Sequence, residues 1–137
     1  MARHKNKTFA TFLASVFGGF GLHRFYLRGL RDFWGWAHLL TVPISLPALW
    51  IEGVAESALA AAPFVISVLI GFLEALIIGL TADEKWDAAH NARSSRQSNS
   101  GWPVVLLVVL TMGIGTTAMI AAMSRMFDLL LTGGSYG

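Results

Sequence analysis

This chain predicts an all-α fold: an integral membrane helical bundle with three to four membrane segments. Three observations carry that expectation. Charged residues make up 13% of the 137 positions, where soluble domains carry about 25%. The mean hydropathy is +0.60. Apolar residues also lie in long runs, not at the alternating or 3.6-residue spacing of half-buried elements. A soluble domain of this length has only a modest core in which to hide such runs, so burial in a bilayer explains them better.

The first run, residues 8–22, is 15 residues long and ends in Gly18-Gly19-Phe20-Gly21. A straight helix needs about 20 residues to cross a core of ~30 Å, so this segment either spans incompletely or re-enters. The second, residues 33–51, is long enough but contains His38, Pro43 and Pro47. Two prolines four apart remove two backbone donors and predict a kink or break. The third is expected to start near Pro63, a favourable first-turn residue, and to run to Leu80 with Glu74 as its single charge. The fourth, residues 102–123, carries no charge across 22 positions and is the clearest transmembrane helix.

Polar connectors separate these runs. Thr81-Ala82-Asp83-Glu84 fits a capping box, in which the Thr81 hydroxyl and the Glu84 carboxylate satisfy orphan backbone donors. A short amphipathic helix over residues 83–92 should follow. Residues 93–101, rich in Ser, Asn and Arg, read as a flexible linker. Residues 124–131 are expected along the interface, before a Gly-rich tail. Three units follow: a membrane domain over 1–82 with an insertion near 43–62, a helix and polar linker over 83–101, and an additional C-terminal transmembrane helix with its tail over 102–137.

The N-terminus, with Arg3, Lys5 and Lys7 before a short apolar stretch, has the look of a secretory signal. No A-x-A cleavage site follows Ala14, so it is expected to be retained. Orientation can be read from Lys and Arg. The N-terminus carries three, residues 23–32 three, residues 52–62 none, residues 83–101 three and the tail one. If all four segments span, the two sides collect four and six. If the first dips in and returns, they collect nine and one, which obeys the positive-inside rule far better and places the turn over residues 23–31 and the linker over residues 85–96 in the cytoplasm, with Glu52 and Glu56 outside. A re-entrant segment must then be covered by protein.

The motif that identifies the chain is Gly21-Leu22-His23-Arg24-Phe25-Tyr26-Leu27-Arg28-Gly29. Such a knot of polar groups in so apolar a chain has to lie at a membrane boundary or be paired inside the protein. Together with Lys5-Asn6-Lys7-Thr8 and Gly18-Gly19-Phe20-Gly21, it resembles the two-transmembrane (TM-two) domain family. There a basic N-terminus leads through a membrane helix and a G-x-H-R-F-Y-L-G-like turn into a second helix that often holds an acidic residue. The resemblance covers about the first third of the chain and extends more weakly to Phe72-Leu73-Glu74-Ala75-Leu76. Arg28 stands where a glycine is usual, Glu74 stands for an aspartate, and residues 102–123 lie outside the pattern. What the resemblance implies is a bacterial inner-membrane protein without known enzymatic chemistry and mostly of uncharacterised role.

The candidate sites each have two readings. His23, Arg24, Tyr26 and Arg28 either bind an anionic lipid head group or a partner, or form a structural turn whose arginine snorkels while Phe25 and Tyr26 join an aromatic belt. Glu74 and His38 are intramembrane polar residues. A carboxylate within a membrane helix costs roughly 2.5–3.5 kcal/mol on insertion scales. Glu74 is therefore either a proton or cation site or the partner of Arg24, His38 or Arg125, the pairing being favoured. Small residues recur every four positions at Ala10, Ala14 and Gly18 and at Gly113, Thr117 and Ala121. Such spacing suits close helix packing within the chain or in a homo-oligomer. Trp34, Trp36, Trp50, Trp86 and Trp102 fall near segment ends, as interfacial anchors do.

No cysteine is present, which excludes disulfides and Cys-type zinc sites. The histidines lack H-x-x-x-H spacing, so no metal site is expected, and the glycine run has no Gly-Lys-Ser/Thr behind it to hold a phosphate. No cofactor, catalytic residue or nucleic-acid surface is expected. Two function classes remain. The favoured one is a non-catalytic scaffold or accessory subunit that binds membrane partners or itself. The alternative is an oligomeric small transporter or channel that uses Glu74 as an intramembrane polar site.

Overall fold

The computed structural model describes residues 4–136, and within them every regular element is helical; Arg3, one of the three N-terminal cations, lies outside. Helix α1 spans Lys7–Phe17 and opens on Asn6, whose side chain accepts from Phe9 N–H (3.0 Å). It tightens into a 3₁₀ turn, Gly18–Phe20, and the chain then reverses through Gly21 at φ +71°, a left-handed conformation that glycine adopts without strain. The 23–28 segment, expected as a turn, is the short helix α2, Leu22–Arg28.

Helix α3, Phe33–Ser45, is capped by the Asp32 carboxylate, which accepts from Gly35 N–H (2.9 Å). Pro43 lies in its last turn. The chain passes into a 3₁₀ turn, Leu46–Leu49, with Pro47 near its start, so the expected break falls between the two prolines. Helix α4 covers Val54–Leu80 and begins nine residues before Pro63, which is therefore an interior residue and not a first-turn one. A proline there lacks its own N–H and crowds the carbonyl four residues back. The local disturbance is met from α3: Ser45 Oγ accepts from Phe64 N–H (3.1 Å), the kind of repair by a neighbouring helix that keeps proline tolerable in membrane spans.

Helix α5, Asp83–His90, starts without a side-chain cap. The expected capping box does not form: Ala82, not Thr81, stands at the N-cap, while Thr81 closes α4 and its Oγ1 donates backward to Ile77 O (2.6 Å). Helix α6, Trp102–Thr132, is continuous through residues 124–131, so that stretch extends the last helix instead of turning along the interface.

These helices pack around a core of small residues. Ala10, Ala14 and Ala75 are buried, with Ile78 and Trp86 completing the cluster. Gly18 meets Gly71 so closely that a Cβ on either would fall 2.6 Å from the other's backbone. The Ala10, Ala14 and Gly18 series thus serves packing within the chain, with α1 running antiparallel to α4. Lys7 Nζ donates to Thr81 O (2.7 Å) at one end, and Gly19 O accepts from Ser67 Oγ (2.7 Å) at the other. Helix α2 then brings the chain back. Tyr26 O accepts from Lys5 Nζ (2.6 Å), and Tyr26 Oη accepts from Asn6 N–H (2.9 Å). Helices α1 and α2 therefore form a hairpin that enters and leaves at one end of the bundle, covered by α4, α3 and α6.

Two helices are long and apolar enough to cross a membrane, Glu56–Leu80 and Trp102–Thr132. Leu59, Ile66, Ile70, Leu73, Ile77 and Leu80 form one exposed stripe along α4. Helix α6 touches its neighbours along a single stripe through Val104, Thr111 and Gly115 and leaves the rest of its apolar surface open. Contiguous apolar surface on this scale is not left open to water; lipid is its natural solvent. Glycine 113, Thr117 and Ala121 lie on the open side of α6. Four of the five tryptophans are exposed, but Trp86 is buried at 1% exposure and is a core residue, not an anchor.

Candidate functional site

The polar groups of the bundle converge on Glu74. From the first turn of α2, His23 and Arg24 reach it together: His23 Nε2 lies 2.6 Å from Oε2, and the Arg24 guanidinium bonds Oε1. From α3, His38 Nε2 approaches Oε2 at 3.5 Å. Three helices are thereby tied to one carboxylate. Glu74 lies six residues before the end of α4, about 9 Å at 1.5 Å per residue, so the cluster sits nearer the basic end of the bundle than its middle.

The hydrogens around His38 can be assigned. Ser67 Oγ donates its single proton to Gly19 O and so accepts from His38 Nδ1–H (2.7 Å). A second proton on His38 Nε2 turns its long approach to Glu74 into a charge-assisted bond. The site thus gathers two imidazoles and a guanidinium around one carboxylate.

Asp32, the cap of α3, was not singled out in the sequence. It faces Arg24 at 3.5 Å and Arg28 at 3.6 Å, and an aspartate directly before an apolar run was the signal for it. Arg28 is 64% exposed. Tyr26 is committed to Asn6, Lys5 and an edge-on contact with Phe9 (5.2 Å). Arg125 does not reach Glu74; it pairs with Asp128 one turn away (2.7 Å). Among the described residues no group of three His, Cys, Asp or Glu is arranged to hold a metal.

A second polar layer docks α5 on the hairpin. Lys7, only 5% exposed, pairs with Asp83 at 2.7 Å. Trp86 Nε1 and Asn91 Nδ2 both donate to Lys5 O (3.0 and 3.1 Å), while Asn91 Oδ1 accepts from Lys5 N–H (2.7 Å). The linker after α5 is not free. Asp83 accepts from the N–H and hydroxyl of Ser100, and Asp87 from those of Ser98, all at 2.6 Å. Two aspartates one turn apart thus pin alternate serines. The Lys7 bond, followed by the Ser100 bonds, holds the Asp83 carboxyl down at about 2. Burial pushes the His90 imidazole down, and the positive charges of Arg28 and Lys5 add to this.

Residues 3–54 match the family model described as TM2 domain, in agreement with the resemblance read from Gly21–Gly29. The match takes in the hairpin and α3 and ends before Glu74. The comparisons with curated proteins and with solved structures return no match. The chain is a membrane protein, with two apolar helices of spanning length beside that domain.

Proposed function

We propose that this chain, whose residues 3–54 match the TM2 domain, is a multi-pass protein of the bacterial inner membrane that works as a non-catalytic scaffold or accessory subunit. In this reading the basic end of the bundle faces the cytoplasm, and the chain binds other membrane helices through the open side of α6. One observation carries it. The carboxylate inside the bundle is spent internally, Glu74 on Arg24, His23 and His38, and the Ser67 hydroxyl is spent on Gly19 O. By contrast, α6 leaves most of its apolar length unpacked, including Gly113, Thr117 and Ala121. Small residues on an open face permit close helix approach.

A photo-crosslinking residue at Thr117 in native membranes tests this. The expected outcome is one discrete crosslinked membrane protein, or a dimer of the chain, that disappears in Gly113→Leu. A proton or ion flux in liposomes that is lost in Glu74→Gln would replace the scaffold reading with transport.

A further inference from the structure

We propose that the cleft between α2, the end of α4 and α5 is a binding site for a phosphate group carried by an anionic ligand. The cleft encloses about 390 Å³. Its cations are Arg24, Arg28 and Lys85; the His23 and His90 rings also line it, and Glu74 is the one carboxylate among its lining residues. Asp32, which does not line it, shares Arg24 and Arg28 at 3.5 and 3.6 Å. Lys85 is exposed and makes no ion pair among the described residues. The cleft therefore holds more positive charge than its own carboxylates neutralise.

An independent observation points to a ligand. Among the described residues, three buried side-chain nitrogens lack a hydrogen-bond partner: His23 Nδ1, Arg24 Nε and His90 Nδ1. All three belong to residues that line this one cleft, and His23 is 1% exposed. A buried polar atom left unpaired is costly, so three at one cleft call for a common partner. Arg24 Nε–H can only donate. His23 donates through Nε2 to Glu74, and its Nδ1 becomes a donor once the ring is protonated. An acceptor-rich anion answers Arg24 Nε and a protonated His23; the His90 ring has the Trp86 carbonyl within reach and is the weakest of the three indications.

Tetrahedral phosphate, with several acceptor oxygens, matches a guanidinium fork flanked by a lysine and histidines. The cleft also opens onto lipid-facing surface. Ile77 lines it and belongs to the exposed stripe of α4, at 67% exposure. A phospholipid head group and a soluble phosphate ester share this chemistry. The proposal does not depend on the scaffold role.

The test uses the full chain in a zwitterionic detergent, titrated with dihexanoyl phosphatidic acid, inorganic phosphate and dihexanoylglycerol, with the ¹⁵N shifts of His23 and His90 as the readout. Saturable shifts with either phosphate probe are expected, and none with dihexanoylglycerol. Stronger binding of the lipid assigns the site to a head group; equal binding assigns it to a soluble phosphate. Arg28→Gln and Lys85→Gln, both at exposed positions, should each weaken binding by about tenfold, the loss of one charge-assisted contact. The proposal is overturned if neither phosphate probe binds, if dihexanoylglycerol binds equally, or if the folded double variant keeps full affinity.

Discussion

Glu74 on α4 is satisfied from two other helices, by His23 and Arg24 of α2 and His38 of α3, and that arrangement makes its neighbours interdependent. Breaking a buried ion pair by removing one partner costs about 3–5 kcal/mol, because the other charge stays buried. Arg24 retains Asp32 and Glu74 retains two histidines, so losses toward the lower end are expected. Glu74→Gln and Arg24→Gln should each lower the Tm of the detergent-solubilised chain, and the double variant should lose less than their sum. Additive losses would mean that the two are not coupled. Glycine gives a contrast of sign. Gly71→Ala would press a Cβ to 2.6 Å from Gly18, overpacking that costs about 1–3 kcal/mol. Gly113 has nothing within 4 Å, so Gly113→Ala should gain up to about 1 kcal/mol of helix propensity; thermal denaturation of both variants checks this. At this scale the sequence was informative where chemistry left few choices. A carboxylate in an apolar helix needs a cation, and Arg24 was one of few available. It was uninformative where the alternatives were equal. Arg125 has Asp128 within its own helix, and Trp86 cannot be told from four interfacial tryptophans until α5 is docked.

Among the elements, α5 is the one held mainly by polar contacts. Asp83 joins it to Lys7 on α1 and to Ser100 in the linker. Its carboxyl titrates at about 2 in the fold against an ordinary 3.8. A depressed carboxyl contributes stability that is present above the unfolded value and is lost as pH falls through the folded one. Docking of α5 should therefore weaken between about pH 4 and pH 2 and hold at neutral pH. Amide exchange over residues 83–101 should quicken in that window while α4 stays protected, and Asp83→Asn should show the same quickening at pH 7. Exchange independent of both would place the docking energy in Trp86 instead. The helices themselves were legible from hydropathy runs and prolines, but their edges were not. The capping box failed because α5 starts one residue later than expected, with Ala82 at the N-cap and Thr81 ending α4, and the linker looked mobile because nothing local reveals that Ser98 and Ser100 meet aspartates 11 and 17 residues away.

Across the whole molecule, the short first segment is the organising feature. Its 11-residue α1 helix is too short to cross a bilayer core. It turns at Gly18–Gly21 against Gly71 and returns as α2, and the bonds of Lys5 and Asn6 to Tyr26 close the hairpin. Of the two arrangements left open by the charge census, this geometry fits the one that gathers nine cations on one side. Periodicity could not choose between them, since the choice depends on the Gly18–Gly71 crossing of segments 53 residues apart. The most direct test is sided labelling of single cysteines in a chain that has none of its own, at His4, Arg31 and Ser57 in intact cells and in inverted vesicles. His4→Cys and Arg31→Cys should label from the same side and Ser57→Cys from the other. Labelling of positions 4 and 31 from opposite sides would contradict the re-entrant hairpin.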